Sequence, residues 1–391
     1  MFDHQDIDFK FLKKYAYNYR WATVPETCIP LTAADPDFPF ATEIQSELQN
    51  YLAHAYMPYG RPEGVPEFLQ ALTIWAKKRG MNYTPDQILP TNSAAEGLNM
   101  VIKKLISPGD EVICPDPVDF LFFETIANAG GKVVTFSAFA PLDYEVLASK
   151  VTAKTKAIMI CHPHNPMGQL YQKAHLELIS KFALDHQLKI ISDEIWSDII
   201  YDGQTFTPFA SLNASTNAIT YTVYGLSKGY ALAGFRIGVV FCPTPEDKTD
   251  LMVVGNYHST IGGCPPIAQL AGQFALEKAT AWQKRFVEHL QEMRDLCFDA
   301  ISANDYLEIE HKPAATYLLF PKIINTNNQE SALTEFLLEE HQLAVVPGNS
   351  RFFGEGAQGH IRLCYSTSKE ILTQAMERLN VGMAAWAKLH H

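Results

Sequence analysis

Four residue types stand close to apolar runs in this chain: a lysine, an aspartate, an asparagine and an arginine. The stretch YGLSKGYALAGFRIG, Tyr224 to Gly238, holds Lys228 and Arg236 among neighbours that are small, apolar or hydroxylic. A lysine amine in such surroundings can attack a carbonyl carbon. An arginine there is an always-charged, bidentate partner for an anion. HPHNPMG follows KAIMIC directly and carries Asn165; DEIW follows KIIS directly and opens with Asp193. An amine, a carboxylate, an amide and a guanidinium brought together could hold one small, anionic electrophile.

Strands must bring them together. EVIC (111–114), KVVTFS (132–137), KAIMIC (156–161), KIIS (189–192), AITYTVY (218–224) and IGVVFC (237–242) read as strands. They are apolar nearly throughout, as expected of strands covered on both faces. Residues 173–186 place Leu176, Ile179 and Phe182/Ala183 at helical spacing. This alternation predicts a doubly wound α/β core, in which ligands collect beyond the carboxyl ends of strands. Towards the end of the chain, ATYLLFPKI and HIRLCYS predict strands of a separate α+β unit, with a helix near 331–340. The expected division is a large domain over 46–285 and a small one from 1–45 with 286–391.

Composition narrows the function. The chain has 391 residues, 47% hydrophobic and 19% charged, which fits a globular protein with a sizeable core. Its 31 basic and 43 acidic residues leave a formal charge of -12, so neither nucleic acid nor an anionic membrane is an expected partner. Cysteines at 28, 114, 161, 242, 264, 297 and 364 are scattered without a CxxC pair. That usage predicts a reduced, cytoplasmic protein rather than a disulfide framework or zinc site. MFDHQDIDFKFLKKYAYNYRW has no apolar core of a secretory signal, and no run approaches the roughly 20 apolar residues that span a bilayer. His162 and His164 lack a third ligand at metal spacing, so no metal is expected. Asn213-Ala-Ser215 matches a glycosylation acceptor and is read as chance.

At the mouths of neighbouring strands, Lys228, Asp193 and Asn165 suit a pyridoxal phosphate site. The lysine would condense with the aldehyde, the aspartate would keep the ring nitrogen protonated, and the amide would donate to the phenolic oxygen. Arg236 would hold the phosphate. From Gly225 to Gly238 the chain resembles the lysine-attachment signature of fold type I pyridoxal-phosphate aminotransferases. This is the class I/II group that includes aspartate aminotransferase. The match reads glycine, apolar, serine, lysine, two free positions, alanine, leucine, one free, glycine, one free, arginine, isoleucine, glycine.

The resemblance covers nearly the whole chain. LTAADPDFP is similar to the family's GEPDFP segment, with Ala34 where a glycine is usual, which implies that Ala34 borders the substrate. YGRPEGVPEF supplies Tyr59, which the resemblance sends to the neighbouring subunit's cofactor phosphate; an obligate homodimer with shared sites is therefore implied. NSAAEGL is similar to the phosphate-cradling turn that opens a helix, with Ser93, Ala94 and Ala95 offering hydroxyl and backbone N–H donors. HIRLCYSTS is similar to the family's IRLSYA strand and makes Arg362 the grip on the substrate α-carboxylate, with Asn165 beside it. The resemblance implies a three-layer large domain with a mainly parallel sheet, a smaller α+β domain from both termini, and amino acid and 2-oxo acid substrates.

Two positions depart from the family pattern. An aromatic two residues after a proline usually stacks on the cofactor ring; DPVDFLFF puts Asp119 there, and Phe120 becomes the candidate ring-facing aromatic. Three residues after Asp193 a tyrosine is frequent. Here it is Trp196, whose indole N–H donates but does not ionise as a phenol does. The leading reading is an aminotransferase. Its rival is a cystathionine β-lyase-like carbon–sulfur lyase, because SDEIWSDIIY and FTPFASL are similar to that branch, with Trp196 and Phe206 replacing its histidines. Arg236, typical of the transaminating branch, weighs against it. A regulator that senses the cofactor would add an N-terminal DNA-binding module, and AADPDFP arriving by residue 39 argues against one. GEGAQG (354–359) matches GxGxxG but precedes a strand, and Ser366–Lys369 matches SxxK without a KTG partner; neither is assigned chemistry.

Overall fold

The structure is a computed structural model and describes residues 2–259, 261–325 and 329–390. Its largest sheet has seven strands: β1 (Ile88–Thr91), β2 (Glu111–Asp116), β3 (Lys132–Ser137), β4 (Thr155–Cys161), β5 (Lys189–Asp193), β6 (Thr220–Gly225) and β7 (Gly238–Phe241). Their spatial order is β1-β7-β6-β5-β4-β2-β3. The pairings β3 with β2, β2 with β4, β4 with β5 and β5 with β6 are parallel. Only β7 runs against its neighbours, β6 and β1.

The six apolar runs of the sequence are β2 to β7. β1 carries Pro90, which reads against a strand. It is tolerated because β1 lies at the sheet edge and pairs with β7 alone. Alternation explains why the inner runs are apolar throughout. Along β4, Ala157, Met159 and Cys161 join a buried cluster with Leu98, Val101, Phe122 and Ile126. Those partners come from helices α1 (Ala94–Leu105) and α2 (Leu121–Asn128). Ile158 and Ile160 point the other way, onto Leu176, Ile179 and Phe182 of the helix Lys173–Asp185. Each such side chain contributes roughly 1.5–3 kcal/mol by leaving water. The result is an α/β architecture with helices on both faces of a mainly parallel sheet.

A second, antiparallel sheet is built on His360–Cys364, which pairs with Leu318–Leu319, Lys322–Ile323 and Val346–Gly348. The helix expected near 331–340 spans Glu330–His341. The N-terminal segment joins this region: Ile29–Pro30 pairs in parallel with Leu343–Ala344, and Cys364 N donates to Leu31 O at 2.9 Å. Further back, Arg20 and Asp37 form a fully buried ion pair, and Trp21 Nε1 donates to the same carboxylate at 2.7 Å. No helix among the described residues is long and apolar enough to cross a membrane.

Candidate active site

One rim of the large sheet gathers the polar residues. β2, β4, β5 and β6 end there, at Asp116, Cys161, Asp193 and Gly225. β1 ends and β7 begins at the same rim, since Gly238 is the register partner of both Thr91 and Gly225. The rim encloses a cavity of about 210 Å³ lined by Lys228, Asp193, Asn165, Trp196, Arg236 and Asp119. Ser93, Ala94, Ala95 and Ala34 complete the wall on the side of α1 and the N-terminal segment. A larger cavity of about 380 Å³, bordered by residues 308–312, Phe320 and His360, contains none of these strand-end groups.

The α1 end of the cavity is built to meet an anion. Ser93 caps the helix: its Oγ accepts from Glu96 N at 3.1 Å, while the Glu96 carboxylate accepts from Asn92 N at 2.8 Å. The amides of Ala94 and Ala95 belong to the first turn, which has no intrahelical acceptors, and they carry the positive end of the helix dipole. Glycine at 238 permits this seat, because a Cβ there would fall 2.3 Å from Ala94 N and from the Ser93 carbonyl carbon. Arg236 completes the corner. Its backbone is left-handed, φ 56°, and its guanidinium makes no hydrogen bond or ion pair among the described residues.

Asp193 also lines the cavity; it is buried, and its carboxylate accepts one hydrogen bond, from Ile195 N at 3.2 Å. Burial pushes its pKa up to about 7; the Ile195 bond opposes the rise, Asp119 adds to it and Lys228 opposes it. A buried carboxylate in this position suits a cationic partner. Lys228 Nζ donates to Ala34 O at 2.6 Å and lies 5.4 Å from the Trp196 ring centre. Burial lowers the pKa of this ammonium, against the raising influence of Asp35 and Asp119. Trp196 is buried and meets Tyr317 edge to face at 4.6 Å, and its indole N–H makes no hydrogen bond among the described residues.

Arg362 approaches Asn165 from the second sheet. Its Nη1 donates to Asn165 Oδ1 at 3.3 Å and its Nη2 to Thr32 O at 2.9 Å, while its buried Nε has no acceptor. Burial pulls its pKa down, with Asp119 opposing. A desolvated guanidinium with no carboxylate bonded to it is a site for one.

One expected residue lies elsewhere. Phe120 does not line the cavity; Asp119 and Leu121 on either side of it do. The Phe120 amide donates to Phe352 O at 3.0 Å as the residue precedes α2. Asp119 is instead the group turned to the cavity, with Oδ1 accepting from Leu121 N at 3.1 Å and Oδ2 from Asn165 Nδ2 at 2.6 Å. Tyr59, expected at the neighbouring subunit's site rather than its own, lies outside this chain's cavity and is 89% exposed in the single chain. Sequence reading also passed over Asp35, whose carboxylate accepts from Asn18 Nδ2 at 3.1 Å and is raised in pKa by burial against the charge of Lys228. ADPDFP contains two acids at close spacing, and only packing separates them: Asp37 turns to Arg20, Asp35 towards Lys228.

Residues 26–379 match the model of the family described as aminotransferase class I and II, and the chain belongs to that family. It is a pyridoxal-phosphate-dependent aminotransferase. Among its relatives is the aspartate/prephenate aminotransferase of Thermus thermophilus, 31% identical over 90% of this chain and 89% of the relative. The aromatic-amino-acid aminotransferase 2 of Thermococcus litoralis is 29% identical over 90% of this chain and 91% of the relative. The crystal structure of the aromatic aminotransferase from Pyrococcus horikoshii superposes with a TM-score of 0.85 at 28% identity, covering 94% of this chain and 98% of that one.

Proposed function

We propose that this enzyme moves the amino group of an L-amino acid to a 2-oxo acid, with Lys228 as the covalent anchor of the cofactor and as the proton carrier. The observation that carries this reading is one cavity holding the Lys228 amine, the Asp193 carboxylate and, with Arg236, the N-terminus of α1. When bound, pyridoxal phosphate supplies an electron sink next to the substrate Cα. Arg236, Ser93 and the Ala94 and Ala95 amides hold the phosphate, and Asp193 pairs with the ring nitrogen. Asn165 and Trp196 offer N–H donors to the ring's oxygen. Arg362 grips the α-carboxylate, near Ala34 and Asn165, so that the Cα proton faces Lys228. Burial favours the neutral amine of Lys228, the form that takes that proton on Nζ and later releases it.

The reading extends to assembly and location. Tyr59, exposed in the single chain beside exposed Tyr56 and Met57, fits a homodimer in which it reaches the partner's phosphate site. Scattered, unpaired cysteines fit a cytoplasmic enzyme. Residues 46–285 form the large domain and 1–45 with 286–391 the small one, a division supported by the pairing of Ile29–Pro30 with Leu343–Ala344.

The test is a panel of L-amino acids, with aspartate and the aromatic ones first, added singly to the holoenzyme. An active amino acid bleaches the cofactor's visible absorbance, and a 2-oxo acid restores it. No bleaching with any amino acid, or steady pyruvate release from cystathionine, overturns the reading. Light scattering that finds a cofactor-loaded monomer overturns the dimer.

A further inference from the structure

Asn165 stands between two groups of opposite hydrogen-bonding character. Asp119 Oδ2 accepts from its Nδ2 at 2.6 Å, and Arg362 Nη1 donates to its Oδ1 at 3.3 Å. An ionised carboxylate only accepts and a guanidinium only donates. Turning the amide over would set oxygen against oxygen on one side and N–H against N–H on the other. The orientation of Asn165 is therefore dictated twice, and one of the two constraints is the acid at the position where an aromatic was expected. Asp119 is itself fixed, since its other oxygen caps α2 through Leu121 N at 3.1 Å.

We propose that Asp119 is a positioning residue that acts through Asn165. It locks the amide so that the carbonyl side steadies Arg362 and the remaining Nδ2 hydrogen is presented to the ligand in the cavity. Asn165 sits at the mouth of β4, Arg362 on the second sheet, and Asp119 at the turn before α2. The chain Asp119–Asn165–Arg362 thus ties the carboxylate grip to the cofactor cavity by side-chain bonds alone. It rests on the functional reading above, in which that cavity takes pyridoxal phosphate and Arg362 takes a carboxylate.

The test is a double-mutant cycle on the full-length protein with D119A, N165A and the double variant. Two quantities are read: the dissociation constant of pyridoxal phosphate from the apo-protein, by fluorescence quenching, and KM and kcat for an amino acid that the wild type accepts. Losing a hydrogen bond to a charged acceptor predicts about a tenfold rise in KM for D119A, with kcat changed less, and a several-fold rise in the cofactor dissociation constant. In the N165A background D119A adds nothing further. D119N keeps an acceptor oxygen and stays within about twofold of wild type, while D119F behaves like D119A. Additive effects in the cycle, or wild-type KM in D119F, overturn the proposal; the latter would mean that the position acts by packing. Melting curves of D119N and D119F are the control that both variants fold. A wild type that does not bind pyridoxal phosphate at all would instead overturn the functional reading.

Discussion

The main-chain carbonyl of Ala34 accepts the Lys228 ammonium at 2.6 Å and also the Tyr317 hydroxyl at 3.1 Å. No ion pair holds Lys228 among the described residues. A backbone oxygen grips an amine less tightly than a carboxylate does, so Nζ is kept near the cavity wall yet remains free to leave it.

Replacing Lys228 with methionine should therefore leave the fold intact, since the stem is retained and one carbonyl bond is lost. The rate should drop by at least about 10²–10⁴-fold, the range of a lost general acid–base group. Borohydride reduction of the wild-type holoenzyme should fix the cofactor on Lys228, read by peptide mass; a label on another lysine would contradict the assignment.

Asp193 predicts a pH dependence of the apo-protein. Its carboxyl is raised from the ordinary value to about 7 by burial. Between roughly pH 4 and 7 the folded state then holds a proton that the unfolded chain has lost, so this group's contribution to stability falls as pH rises through 7. D193N removes the titration. The stability of D193N relative to wild type should rise across that window, by up to about 4 kcal/mol. Denaturant unfolding of both apo-proteins at pH 4 and 8 measures it. In the holo form the variant should lose cofactor affinity.

Gly238→Ala tests the seat of α1. The added Cβ would meet Ala94 N and the Ser93 carbonyl carbon at 2.3 Å, and neither is a flexible side chain. Overpacking of this kind costs about 1–3 kcal/mol. Because the displaced atoms belong to the first turn of α1, pyridoxal phosphate and inorganic phosphate should both bind more weakly. Titration calorimetry with each would show it; unchanged phosphate affinity would separate the helix end from the anion site.

Arg362→Lys keeps the charge and loses the planar fork. A lysine's three N–H groups share one nitrogen, so they cannot reproduce the planar fork that reaches Asn165 Oδ1 and Thr32 O and still offers two parallel donors to a carboxylate. KM for the amino acid should rise about tenfold to a hundredfold, while the cofactor dissociation constant moves by less than threefold. A change confined to cofactor binding would place Arg362 in a different role.

The Arg20–Asp37 pair concerns stability alone. Both side chains are fully buried. Truncating one partner leaves the other charge uncompensated, and Arg20→Met should cost about 3–5 kcal/mol in urea unfolding. Asp37 then retains the Trp21 indole as a donor, so the loss should fall at the lower end of that range.

The parallel strands and their terminal polar residues were legible because both faces of these strands are buried. An apolar run that ends in Asp193, or is followed within a few residues by Asn165 or Lys228, marks the boundary between core and rim. β1 was not legible: four residues with Pro90 among them have no pattern apart from the edge position that tolerates them. Asp119 was seen as an anomaly, but its consequence depends on the side of Asn165 it occupies, which spacing does not encode. Asp35 was hidden for a related reason. Its neighbour Asp37 has the same chemistry, and their fates diverge only through Arg20 and Lys228, which lie far away along the chain.

The reversal of β7 has a consequence for how this chain can change over time. Gly225 and Gly238 face each other in register, so residues 226–237 form a loop pinched shut at its base. Lys228 and Arg236 sit near the two ends of that one loop. An insertion or deletion between them would slide the proposed covalent anchor and the proposed phosphate cation past each other at once, whereas length changes in the helix-to-strand loops at the opposite rim of the sheet would move neither. Indels in natural or engineered variants should therefore accumulate in those opposite-rim loops and spare residues 226–237.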